Sequence, residues 1–230
     1  MKWLDPAAFA VLNDPRLEAE LLRLYRAAAK QIPGLIWHFL PQLPKLLGRG
    51  SDWRGEDEAY FDDKFIAITP PQGLFLYMQA LASGARHIVE FGTSYGISTL
   101  FLAAAARRNG GRVITCENQP AKAAAARRHF ANAGLADCIE LREGDARETL
   151  ADVAAGVDFV LLDGWPNLVW PVFRVLEAQL APRAVLVVDD VEGYAPAMRD
   201  YLDYVRNPAH GYVSTTLKPN KALEYTVKCP

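Results

Sequence analysis

The residues with the clearest chemical potential are four acids, each standing where an apolar run ends. Glu117 closes Val113-Ile114-Thr115-Cys116, Asp163 follows Val160-Leu161-Leu162, and Asp189-Asp190 follows Val185-Leu186-Val187-Val188. Short apolar runs bounded by turn signals read as strands covered on both faces. Strand ends of a parallel sheet converge on one crevice, so Asp163, Asp189 and Asp190 are expected beside one another. Three unpaired carboxylates repel. A hard divalent cation, Mg or Ca, relieves that repulsion and accepts oxygen-only ligation. Asp163, Asp189 and Asp190 are therefore the candidate metal ligands. Glu117 lies 21 residues past Gly96, where a carboxylate can accept hydrogen bonds from both hydroxyls of a ribose. Its plainer reading is a solvated acid that caps a helix.

A second constellation precedes these acids. His87-Ile88-Val89-Glu90-Phe91-Gly92-Thr93-Ser94-Tyr95-Gly96-Ile97-Ser98-Thr99 reads as a strand, a glycine elbow and a helix start. Glycines let the backbone approach a ligand, and the first helical N–H groups point at it. The spacing is G-x-x-x-G, not the G-x-G-x-x-G of dinucleotide sites. It favours a ligand that lacks a pyrophosphate and carries a carboxylate and an ammonium group. Glu90-Phe91-Gly92-Thr93-Ser94-Tyr95-Gly96-Ile97-Ser98 resembles the first motif of class I S-adenosylmethionine-dependent methyltransferases. The resemblance implies that Glu90 and the Gly92, Thr93, Ser94 and Gly96 loop position the methionine portion, that Ser98 bonds its carboxylate, and that Glu117 holds the ribose. It also sets Asp145 and Ala146, in Gly144-Asp145-Ala146, against the adenine ring; without it, that stretch is an ordinary turn before a helix.

Leu161-Leu162-Asp163-Gly164-Trp165 and Val187-Val188-Asp189-Asp190-Val191 narrow the resemblance to the cation-dependent small-molecule O-methyltransferases of the catechol and caffeoyl-CoA type. Ile68-Thr69-Pro70-Pro71-Gln72-Gly73 is similar to that family's approach to the cofactor site, which adds Thr69 to the candidates. The likeness covers roughly residues 66–228 and implies methyl transfer to a hydroxyl of a small phenolic or catechol-like molecule, with Asp163 touching both cofactor and acceptor as the catalytic group. One departure stands out. Catechol-type members carry a lysine soon after the strand-four acid, and here the run is Gly164-Trp165-Pro166-Asn167-Leu168. Metal coordination lowers a hydroxyl's pKa without a lysine. Asp163 or His38 are the substitutes at hand, though His38 on an apolar segment reads first as a packed histidine.

Other readings stay open. One is a metal-independent methyltransferase acting on nitrogen, sulfur or a carboxyl group. Another is a nicotinamide-dependent oxidoreductase, against which the glycine spacing speaks. A third is a silent protein that binds the nucleoside for sensing. Methylation of nucleic-acid amino groups is disfavoured, because that chemistry commonly shows Asp/Asn-Pro-Pro-aromatic where this chain has Asp163-Gly164-Trp165-Pro166.

The elements that must position these groups follow from periodicity. Strands are expected at His87–Phe91, Arg112–Cys116, Ile139–Glu143, Val157–Leu162 and Ala184–Val188. Between them lie helices at Ser98–Arg108, Pro120–Ala133 and Trp170–Leu180, and a short turn near Ala146–Ala154. This alternation predicts an α/β doubly wound, mostly parallel sheet. A helix over Ala195–Val205 precedes an antiparallel hairpin, Tyr212–Leu217 and Ala222–Lys228, turning through Lys218-Pro219-Asn220-Lys221. A seven-stranded Rossmann-like sheet ending in such a hairpin is what the resemblance implies. Upstream, helices are expected over Arg16–Gln31 and Pro71–Ser83, with a broken segment over 33–55. Residues 1–65 thus form an N-terminal helical cover and 66–230 the cofactor-binding part of one domain.

Composition sets outer limits. A length of 230 residues with 51% hydrophobic content suits one substantial core. A net charge of −2 offers no reason to expect nucleic acid as a partner. Cys116, Cys138 and Cys229 lack metal-ligand spacing and suit a reducing, cytoplasmic setting. No signal peptide is read at the start, and Gly34–Leu40 is too short to span a bilayer. His129 is expected on the surface. Trp165 reads as a wall of the site or as plain packing. The apolar cluster Trp37/Phe39/Leu40/Leu43/Leu46/Leu47 is expected to be buried against the domain or a second subunit, which favours a homodimer.

Overall fold

The computed structural model describes residues 6–40, 58–218 and 222–230. Seven strands form one sheet: β1 (His87–Phe91), β2 (Arg112–Glu117), β3 (Ile139–Glu143), β4 (Val157–Leu162), β5 (Leu180–Val188), β6 (Tyr212–Leu217) and β7 (Leu223–Lys228). Their order is β3-β2-β1-β4-β5-β7-β6. Strands β1 to β5 pair in parallel, and β7 lies antiparallel between β5 and β6. The order reverses between β1 and β4, so the crevice at their C-terminal ends is the expected ligand position.

Alternation along each strand builds two cores. Ile88, Phe159, Leu161, Val185 and Val187 face one layer. Val89, Val160, Leu162, Leu186 and Val188 face the other. Both faces are covered, which is why these strands read as continuous apolar runs. The first layer comprises α1 (Pro15–Phe39), α2 (Pro70–Ala82), α3 (Ile97–Asn109) and α4 (Pro120–Ala133). Leu17, Leu21 and Leu24 of α1 join Phe101 and Phe130 there, so the N-terminal helix shares the main core. The second layer contains α5 (Ala146–Thr149), α6 (Val169–Leu176) and α8 (Arg199–Arg206); α7 (Val191–Tyr194) follows β5.

Several boundaries differ from the periodic reading. Helix α1 does not break at Pro33 but runs to Phe39. Contacts from residues 60–65 hold it. Gln31 donates to the Asp63 carbonyl at 3.1 Å and accepts from the Phe65 N–H at 2.8 Å, and Tyr60 stacks on His38 with centroids 3.5 Å apart. The rest of the segment expected to be broken, with Leu43, Leu46 and Leu47, lies outside the described residues, as does most of the hairpin turn. Trp37 is 78% exposed and Leu40 50%, so these two members of the apolar cluster are not buried against the domain. Helix α6 ends at Leu176 and yields through a 3₁₀ turn to β5, which begins at Leu180 rather than Ala184. The helix expected over 195–205 begins only at Arg199, as α8; the short α7 precedes that range, and Pro196, which lacks an N–H, keeps α7 from running on into it.

Candidate functional site

The elbow between β1 and α3 is built from two residues in the left-handed backbone region at close approaches. Gly92 has φ +103°, and a Cβ there would sit 2.5 Å from the Asp163 carbonyl oxygen. Gly96 has φ +83°, and its Cβ would meet the Phe130 ring at 2.4 Å. Side chains are excluded at both, so the loop lies flat against the end of β4 and the body of α4. Ser94 also takes positive φ, 48°, an uncommon conformation for a residue with a Cβ. A carboxylate secures it: Glu117 Oε2 accepts from the Ser94 N–H at 2.7 Å, and Oε1 accepts from the Gln119 N–H at 2.9 Å. A carboxylate has about four acceptor positions, so Glu117 retains capacity for two further donors.

Behind the elbow lies a buried hydroxyl network. Glu90 Oε2 accepts from Thr99 at 2.5 Å and from Thr115 at 2.6 Å, and Thr93 and Thr115 share a hydrogen bond of 2.5 Å. Glu90 is fully buried. Burial pushes its carboxyl above the ordinary range, and its Oε1 has no partner. His129, expected on the surface, is buried instead; its Nδ1–H donates to the Tyr95 carbonyl at 2.9 Å. Burial holds that imidazole below its usual pKa, which suits a neutral ring bracing the elbow.

A cavity of about 480 Å³ opens along the strand ends. Its wall includes Gly92, Thr93, Ser94, Ser98, Glu117, Asp145, Ala146, Asp163, Asp189 and Asp190. Gly96, which packs on the Phe130 ring, Glu90 and Thr69 do not line it; the last two stand behind the wall. Thr69 instead gives its N–H and hydroxyl to Gln72 Oε1, at 2.9 and 2.8 Å. By strand order the wall runs from Asp145 after β3, through Glu117 and the elbow, to the aspartates after β4 and β5. Four inter-strand steps of about 4.8 Å make that roughly 19 Å. Asp145 caps α5 through the Arg147 N–H at 2.8 Å, and its hydrogen bond with the Arg147 guanidinium holds its carboxyl below the usual range.

Further lining comes from residues that periodicity alone did not single out. Phe65 stacks on Tyr95 with centroids 4.0 Å apart, and Gln119 donates to Asp62 at 2.7 Å. Lys122 of α4 is buried on this wall and lies over the Tyr95 ring at 5.8 Å; burial lowers its pKa. None of these contacts has a sequence signal, because each joins segments that are distant in the chain. Trp165 is on the wall, edge-on to Phe61. His38 is not; it stacks on Tyr60. Among the described lining residues Lys122 is the one lysine, and it stands beside Glu117 rather than after Asp163. Cys116 touches the wall, but burial pushes its thiol up to about 12, and all three cysteines are free thiols.

The metal expectation meets a mixed outcome. Asp163, Asp189 and Asp190 share the cavity wall, and all-oxygen donors suit a hard cation in kind. Yet among the described residues no three His, Cys, Asp or Glu side chains form a group that could hold an ion. The three acids are neighbours along the wall rather than a formed cluster. One oxygen of Asp189 is already taken, by the Gln72 side-chain amide at 2.9 Å. Among the described residues no helix is long and apolar enough to cross a membrane.

Comparison with known proteins agrees with this architecture. A family model described as a methyltransferase domain matches residues 89–191. A catechol O-methyltransferase of Mycobacterium tuberculosis is 41% identical over 130 residues, covering 55% of this chain and 57% of the relative. A catechol O-methyltransferase of Niastella koreensis is 32% identical over 130 residues, 55% of this chain and 58% of its own length. The matches thus span a little over half the length of these curated relatives. Among solved structures, an O-methyltransferase from Bacillus cereus in complex with SAH superposes with a TM-score of 0.64 at 26% identity, over 70% of this chain and 82% of that one. The glycine elbow, the sheet order with its antiparallel β7, and these likenesses make the chain similar to the class I S-adenosylmethionine-dependent O-methyltransferases.

Proposed function

We propose that this protein transfers a methyl group from S-adenosylmethionine to a hydroxyl of a small aromatic molecule of the catechol kind. The observation that carries the reading is one cavity whose wall runs from the elbow and Glu117 to Asp163, Asp189 and Trp165. The catechol O-methyltransferase relatives support the acceptor class. When bound, S-adenosylmethionine supplies a methyl group on a positively charged sulfur, so the protein's task is to align a deprotonated oxygen with it. Glu117 has the spare acceptor positions for a ribose diol. The Gly92 turn admits a ligand to the backbone, and the partnerless Ser94 hydroxyl is placed to bond it. Trp165 and Phe61 supply apolar walls for a flat acceptor, and Asp163 faces the acceptor's hydroxyl.

A divalent cation belongs to the same proposal. Asp163, Asp189 and Asp190 would hold it, and it would lower the pKa of a bound hydroxyl, a role that matters more where no lysine follows Asp163. Chelation tests this directly. Turnover of a catechol acceptor should fall at least about 100-fold in chelator and return with added magnesium, while SAH affinity by calorimetry stays within about 3-fold. Full activity in chelator would assign the aspartates to polar contacts alone, the metal-independent alternative.

The ribose assignment gives a separate expectation. Glu117→Ala should weaken SAH binding about 10–100-fold in a calorimetric titration, since hydrogen bonds to a charged group contribute about 1.5–3 kcal/mol. Unchanged affinity would remove Glu117 from the cofactor site.

A further inference from the structure

We propose that Gln72 is a positioning residue, fixing the Asp189 carboxylate for the acceptor half of the site; this rests on the methyl-transfer reading above. Gln72 is the third residue of α2, buried at 3% exposure, and lies 117 positions from Asp189 in the chain. Its two amide ends have different work. Oε1 accepts from both the N–H and the hydroxyl of Thr69, at 2.9 and 2.8 Å. Nε2 donates to Asp189 Oδ1 at 2.9 Å. The amide can sit only one way round. Flipping it would set an N–H against the Thr69 backbone N–H and a carbonyl oxygen against a carboxylate. Thr69 therefore decides the direction in which Gln72 presents its donor.

Asp189 gains a fixed side chain in consequence. Its backbone N–H already ties the end of β5 to β4 through the Leu162 carbonyl at 3.3 Å. With Oδ1 held by the amide, the rotamer of a 7% exposed acid on the cavity wall is set from the far side. An exposed aspartate would sample several rotamers. A group aligned with a reacting hydroxyl has to be in place before the acceptor arrives. Glutamine suits the task because it is neutral and offers a donor and an acceptor together. Glutamate would face Asp189 with a second carboxylate, and methionine would fill the space without a donor.

The test uses the full chain with Gln72→Met and Gln72→Glu. Q72M should lose about 10–100-fold in kcat/KM for a catechol acceptor, the range typical of residues supporting a liganding carboxylate. Its SAH affinity should stay within about 3-fold, and a crystal structure should show Asp189 in a changed rotamer. Q72E, which sets a second carboxylate against Asp189, should be impaired at least as far as Q72M, again with SAH affinity within about 3-fold. The assignment is overturned by an unmoved Asp189 side chain in Q72M, by wild-type kcat/KM, or by SAH affinity falling in step with activity, which would mark Gln72 as a support of the fold alone. Should the wild-type protein methylate no catechol or phenol, the proposed function fails, while the Asp189 rotamer still decides the role of Gln72.

Discussion

A Gly92→Ala variant is expected to melt roughly 6–12 °C below the wild type and to lose measurable SAH binding. The added Cβ would lie 2.5 Å from the Asp163 carbonyl oxygen and 2.7 Å from its carbon. Both atoms are backbone at the end of β4, so no side chain can rotate away. Strand β1 is fastened at that level too, since the Asp163 N–H donates to the Phe91 carbonyl at 2.9 Å. Relief requires that the two central strands part where the ligand sits. Positive φ adds strain of about 1–3 kcal/mol for a residue with a Cβ, and overpacking adds about 1–3 kcal/mol more. A sum near 3 kcal/mol gives the stated range for a chain of this length, at about 2–4 °C per kcal/mol. Thermal melts with and without SAH check both halves. A variant that melts within about 2 °C of wild type and binds normally would mean the elbow is not the tight junction described.

Asp163→Ala should behave in the opposite manner, keeping the fold and the cofactor while losing turnover. The strand-end hydrogen bond of Asp163 is made by its backbone, so truncating the side chain leaves the β1–β4 junction intact. Glu117 and the elbow carry the nucleoside and methionine contacts in the proposed arrangement. The expected loss in kcat is about 10²–10⁴-fold, the span associated with a positioned acid or base. Melting temperature should change by no more than a few degrees, and SAH affinity by about 3-fold or less. Asp163→Asn, which preserves shape but not charge, should be nearly as inactive. If Asp163→Ala retains activity within a few-fold of wild type, the acceptor end of the cavity has been placed at the wrong strand.

The sheet was largely legible from apolar runs because its strands are covered on both faces. Val157 to Leu162 alternates between two cores while reading as one hydrophobic block. The helix ends were less legible, for reasons specific to each. Pro33 looked like a terminus, yet tertiary contacts from Tyr60 and Gln31 carry α1 to Phe39. Leu180 reads as the last residue of a helix and the strand as starting at Ala184, yet pairing of β5 with β4 at Val157 draws Leu180 and the residues after it into the strand.

For the site, sequence alone determined which residue types stand at strand ends: the acids after β2, β4 and β5 and the glycines after β1. Those identities follow from local punctuation, and a parallel sheet carries its strand ends to one edge whatever the helices do. Only the tertiary structure decided which of them meet the cavity. It set Glu90 and Thr69 behind the wall, stacked His38 on Tyr60, and left Asp163, Asp189 and Asp190 as neighbours without a formed cluster. It also recruited Gln72, Phe65 and Lys122. The local signature at Thr69 and Gln72 shows a helix cap, but nothing near it in the chain announces Asp189. Side-chain contacts between segments a hundred residues apart depend on packing angles and rotamers, and those exist only once the layers have closed on the sheet.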